Sequence, residues 1–243
     1  MNNLAMPAER ERTPLPKNAF WAGVFRNSAI GLLGILILMF LSAPFIEDLP
    51  GGEMIEASLV TLIMGFAVLA VGGRRQTLMI ALLLVTPTLG GKWANHFSPG
   101  IVSSVVYLFA ATIFFAFVVA QLVQFVLRAP HVNTNVLSAG ISGYLLLGLI
   151  WVPAYLLVAR LNPGAFNLPA GGIMDGFNAF YFSFTTLCTV GYGDFTPASK
   201  AARMLAILEA ITGLFYVAVL ISRLVAVYST DPPTRGASDD SAT

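Results

Sequence analysis

From Ile101 to Leu127 the chain carries no charged side chain. A run of that length admits few folds. About 20 apolar helical residues cross the ~30 Å hydrocarbon core of a bilayer, and only a helix or a closed barrel satisfies its own backbone groups there. Further apolar runs lie at residues 30–46, 55–71, 77–91, 136–159 and 201–228. The third of these is the shortest and is interrupted by Pro87. Composition agrees: apolar residues make up 57% and charged residues 10%, against about a quarter charged in soluble domains. Six spans are expected, in an all-α integral membrane fold surrounded by the lipid bilayer. The first four form a domain at 29–130, behind a polar, basic segment at 1–28 expected in the cytosol. Residues 131–229 form a second domain, and 230–243 a disordered cytosolic tail. An acidic linker with Glu47, Asp48, Glu53 and Glu56 follows the first run, and a loop at 92–99 joins the third to the fourth.

Between the fifth and sixth runs the pattern changes. Phe177 to Cys188 is apolar and rich in hydroxyl groups but only half the length of a span, and Asp175 stands where an N-cap residue belongs. A helix at 176–188 that enters the membrane and turns back fits both features. Thr189-Val190-Gly191-Tyr192-Gly193-Asp194 follows directly. Positive φ is cheap only for glycine, so Gly191 and Gly193 suit a backbone that alternates in handedness. Alone, Gly-Tyr-Gly-Asp is ordinary turn chemistry; its place between a short helix and two spans sets it apart. The single cysteine, Cys188, excludes a disulfide within one chain and a multi-cysteine metal site. With no paired acid and base, metal-ligand cluster or phosphate loop, no enzyme, no cofactor and no nucleic-acid partner is expected.

Span, re-entrant helix, glycine loop and span together resemble the pore domain of the potassium channel superfamily, over residues 136–228. The resemblance implies a selectivity filter at Thr189, Val190, Gly191, Tyr192 and Gly193. Carbonyls of Thr189 to Tyr192, with the Thr189 hydroxyl, would replace the hydration shell of K+ as the permeant ion, while the side chains of Val190 and Tyr192 brace the loop from behind. It implies filter support from Asp194, from Tyr181 and Phe182 as an aromatic cuff, and from Thr185, which stands where some members carry a second carboxylate. Cys188 stands where many carry threonine, and packing behind the loop is its expected role. Gly213 falls at the gating hinge of the inner helix; local weakness of the helix and packing against a neighbour are both open to it. Glu209 is the one acid deep inside a predicted span, Glu56 lying at the edge of another; enrichment of cations in a cavity and a hydrogen bond to a neighbouring helix are both open to it.

One chain offers one such hairpin, so the resemblance implies a homotetrameric pore conducting K+ passively. The alternative is a membrane sensor or regulatory subunit whose channel-like pore does not conduct. A separate regulatory subunit is left open. In the family the re-entrant loop enters from outside, which puts both termini in the cytosol at the plasma or inner cell membrane. Arg10, Arg12, Lys17, Arg26, Arg74, Arg75, Arg128, Arg223 and Arg235 then lie inside, and Lys92, Arg160, Lys200 and Arg203 outside. That bias follows the positive-inside rule.

The fourth run lacks the arginines with which voltage-gated relatives sense the field; its first basic residue is Arg128, at its end. Each elementary charge moved across 100 mV is worth about 2.3 kcal/mol, and this helix has none to move. Open probability measured by voltage steps is therefore expected to vary weakly with voltage; a steep dependence carrying several gating charges would overturn this reading of the run.

Overall fold

A computed structural model describes residues 17–46, 49–71, 75–98, 103–169 and 172–230, with side chains from residue 28 to residue 226. Most of the expected tail, and most of residues 1–28, therefore lie outside the described residues or side chains. Among the described residues seven helices follow one another: α1 Lys17–Ile46, α2 Gly52–Val71, α3 Arg75–Phe97, α4 Ser104–Arg128, α5 Thr134–Leu161, α6 Gly176–Leu187 and α7 Lys200–Thr230. All but α6 are long and apolar enough to cross a membrane. The protein is a multi-span membrane protein built on helices.

Several ends differ from the expected ones. Helix α1 begins at Lys17, within the segment expected to be a polar lead-in. Helix α3 runs through Pro87 to Phe97 and takes in most of the expected loop 92–99. Proline removes one helical hydrogen bond, but the adjoining hydroxyls remain busy: Thr86 Oγ1 donates to Leu82 O at 2.7 Å and Thr88 Oγ1 to Leu84 O at 3.0 Å. Glu53 and Glu56 belong to α2 and not to a loop; Glu56 forms an ion pair with Lys92 of α3 at 3.1 Å. A further addition to the all-α expectation is a two-residue antiparallel ladder, β1 Phe166–Asn167 with β2 Thr196–Pro197.

Helix α5 is the shared wall. It packs along α4 and α1 on one side and against α6 and α7 on the other. The larger apolar core joins α1 to α5 and reaches Leu187 of α6. A smaller one collects Tyr155, Ala165, Phe166, Ala179, Phe182 and Ala202 around the start of α6. Without a hydrophobic drive between helices in lipid, close approach rests on small residues and interhelical hydrogen bonds, and α5 supplies small residues where approach is tightest. A Cβ at Gly148 would overlap the Phe184 ring, one at Gly143 the Tyr216 hydroxyl, and one at Gly140 would lie 2.9 Å from Leu220 Cδ1.

The leading helices also reach α6. Phe40 of α1 meets the rings of Phe180 and Phe184 edge-on, with centroids 4.8 and 4.7 Å away. The short helix is thus packed from α1, α5 and α7. Gly148→Leu would force the Phe184 ring out of this packing; overpacking of this kind costs about 1–3 kcal/mol. The expected result is a lower midpoint of thermal unfolding in detergent, and an unchanged midpoint would count against this packing.

Candidate ion-selectivity site

Helix α6 starts where its sequence says it should. Asp175 is the N-cap, and its Oδ1 accepts from Asn178 N at 2.8 Å. At the other end the chain leaves the helix without orphaning the last carbonyls. Cys188 N donates to Phe184 O at 3.0 Å and Thr189 N to Thr186 O at 2.9 Å. Thr185 O then accepts twice, from Val190 N at 2.8 Å and Gly191 N at 3.2 Å. The glycine loop is in this way fastened to the end of α6 through its first three residues.

Its backbone alternates. Thr189, Gly191 and Gly193 have φ of 57°, 50° and 84°. Two of the three are the glycines on which the sequence argument rested. The third is a β-branched threonine, for which positive φ is a marked departure, and nothing in its residue type announced it. No atom lies within 4 Å of a Cβ built on Gly191 or Gly193, so glycine is required there by the backbone and not by space.

The far end of the loop is held by side chains. Tyr181 Oη donates to Asp194 Oδ2 at 2.8 Å, and Asp194 Oδ1 accepts from Phe195 N at 3.0 Å. The Tyr181 ring lies parallel to Tyr192 at 6.4 Å and meets Phe195 edge-on. Because Asp194 takes the Tyr181 hydroxyl proton in a hydrogen bond, the phenol pKa rises. Beyond the loop, β2 pairs with β1, and Ala198 N and Ser199 N both donate to Ala165 O. That anchorage was invisible in the sequence, since two-residue strands carry no period.

Other expected site residues fall in different surroundings. Phe182 is buried, with its ring against Tyr155 and Phe166. Thr185 turns its hydroxyl to the carbonyls of Tyr181 and Phe182, within its own helix. Cys188 is exposed, with Sγ 3.5 Å from the Tyr144 hydroxyl of α5. Val190 and Tyr192 are 51% and 74% exposed in the single chain. Gly213 sits in an unbroken α7, where a Cβ would come within 2.8 Å of both Leu187 O and Leu187 Cδ1.

Glu209 is fully buried. Tyr155 Oη of α5 donates to its Oε2, and Ser183 Oγ of α6 to its Oε1 at 2.5 Å. Sequence reasoning singled out the acid but neither partner, because a lone tyrosine and serine in apolar runs carry no distinguishing signal. No group of three or more His, Cys, Asp or Glu able to hold a metal occurs among the described residues.

Known proteins resemble the same region. Residues 143–230 match the family model described as ion channel. Two pore potassium channel c of Oryza sativa subsp. japonica is 43% identical over 63 residues, covering 26% of this chain and 14% of the relative. Two pore potassium channel b of the same species is 39% identical over 92 residues, with 35% and 25% covered. The inward rectifier potassium channel Kirbac3.1 of Paramagnetospirillum magnetotacticum is 32% identical over 97 residues, with 38% and 29% covered. The chain thus matches less than a third of the length of each of these relatives, and no solved structure matches it significantly. Residues 143–230 thus form an ion-channel domain, and over this region the chain is similar to potassium channels.

Proposed function

We propose that the chain is the subunit of a homotetrameric channel that passes K+ down its gradient, selected by four copies of the loop Thr189–Gly193. The observation that carries this reading is the alternation of φ at Thr189, Gly191 and Gly193. Successive peptide units in such a backbone turn towards one side, which is what a column of carbonyls replacing a hydration shell requires. K+ would be held at Thr189, Val190, Gly191 and Tyr192. The names of the relatives support the choice of ion.

Assembly has separate support. Tyr192 and Val190 are largely exposed in one chain, as are Ile207, Leu208, Ile211, Leu214 and Phe215 along α7. A fourfold arrangement around the loop would cover the two loop side chains and line an inner cavity with part of α7. Helices α1 to α4 form the leading membrane domain and residues 131–229 the pore domain. Both termini lie in the cytosol, at the plasma or inner cell membrane. The absence of basic residues in α4 before its last residue, Arg128, supports gating without strong voltage dependence.

Potassium and sodium flux into liposomes containing the purified protein tests the reading, with barium as blocker. Barium-sensitive flux favouring potassium is expected. Gly191→Ala is the matching control. Its methyl group meets open space, so the penalty is conformational, about 1–2 kcal/mol in each subunit. Loss of potassium preference is expected, and retained preference would overturn the filter assignment. Potassium binding without flux through a verified tetramer would favour a non-conducting sensor.

A further inference from the structure

One face of α7, with Glu209, Gly213, Tyr216 and Leu220 at helical spacing, meets α5 and α6. Glu209 is hydrogen-bonded to Ser183, and Gly213 lies against Leu187. These contacts are one turn apart on both helices, so α6 and α7 run in register over two rungs. Further along, Tyr216 Oη donates to Gly140 O of α5 at 2.7 Å. Glu209 is the member of this stripe that reaches both neighbours at once, through Tyr155 on α5 and Ser183 on α6. Its carboxyl is turned away from the exposed face of α7, which carries Ile207, Leu208, Ile211 and Leu214.

The hydroxyl of Ser183 is contested. Ser183 Oγ lies 2.8 Å from Gly148 O and 2.5 Å from Glu209 Oε1, and a serine has one proton to give. With a bare carboxylate, Ser183 serves only one of these two buried acceptors at a time. With one proton on the carboxyl group every atom is used: Tyr155 donates to Oε2, the carboxyl proton goes to Ser183 Oγ, and Ser183 donates to Gly148 O. A glutamine amide reproduces the same pattern, its oxygen accepting from Tyr155 and its nitrogen donating to Ser183.

We propose that Glu209 is a positioning residue, a hydrogen-bonding clasp that ties the inner helix α7 to α6 and α5 and so fixes the helix from which the glycine loop hangs. It acts as a shape and a set of hydrogen bonds, not as a negative charge presented to ions. Movement of α7 would then reach the loop directly, since the clasp holds Ser183, two residues before Thr185, whose carbonyl accepts from Val190 and Gly191. The consequence for ion selection rests on the channel reading above; the clasp itself does not.

Two readouts on the full-length protein in lipid separate these. Hydrogen exchange of the α6 amides reports how firmly the helix is held, and the ratio of potassium to sodium flux reports what the loop selects. Glu209→Gln is expected to leave both as in the wild type. Glu209→Leu is expected to raise α6 exchange by about tenfold or more, the scale of losing two buried hydrogen bonds, and to reduce the flux ratio. Ser183→Ala and Tyr155→Phe each remove one arm without a change of charge; each is expected to raise α6 exchange by a few-fold, and these two decide the matter if Glu209→Leu does not assemble. Unchanged α6 exchange in the leucine variant, or in both single-arm variants, would overturn the clasp. So would a Glu209→Gln protein with normal exchange and a reduced unitary potassium current, which would place the charge in the ion path. If the wild type passes no potassium, the channel reading fails, while the exchange series still decides the clasp.

Discussion

A β-branched residue held at positive φ is the constraint on which the rest of the α5–α6–loop–α7 region depends. Thr189 has φ of 57°, a conformation that costs such a residue of the order of 1–3 kcal/mol and persists only where its surroundings over-determine it. They do so here from both sides. Before it, Cys188 N and Thr189 N close the last turn of α6; after it, Val190 N and Gly191 N return to Thr185 O. Without α6 in place this backbone has nothing to hold it, and an open turn would be the cheaper state.

Helix α6 in turn cannot hold itself. Twelve residues make a marginal helix in isolation, and in an apolar setting its position rests on packing and on a few buried polar contacts. Three sets of neighbours provide these. Helix α5 offers Gly148 to the Phe184 ring and Gly148 O to Ser183; α7 offers Glu209 and Gly213; α1 offers Phe40. The last contact gives the leading helices a physical connection to the loop. A change in how α1 lies on α5 has a direct route to Phe180 and Phe184, and through α6 to Thr185. Glu56 adds a point at the other end of α6, its carboxylate oxygens 3.5 Å from a Cβ built on Gly176; a negative charge there complements the helix N-terminus.

The two ends of the loop are secured by different chemistry. The end nearest α6 relies on main-chain hydrogen bonds, which depend little on residue type. The far end relies on Tyr181, Asp194 and the β1–β2 ladder. Substitution can therefore alter the far end with the α6 end intact, and the exposed Tyr192 stacked on Tyr181 lies on the line between them.

The sequence by itself determined what depends on local chemistry and on length. Uninterrupted apolar runs meant spans, because lipid leaves a backbone no other partner; Asp175 marked the start of α6; and Gly191 and Gly193 marked where the backbone turns left-handed. The limits of α1 and α3 were less legible. Proline and polar residues lower helix propensity without deciding it, and α3 continues through Pro87 to Phe97. What only the tertiary structure decided are the pairings between distant residues. Glu209 stood out as an isolated acid, yet Tyr155 and Ser183 became its partners only through the register of three helices. Gly213 read as a point of weakness and lies against Leu187; Thr189 gave no sign of its positive φ. Each of these depends on which atoms meet across a helix interface, and a side chain's identity states what it is able to bond, not what the fold brings to it.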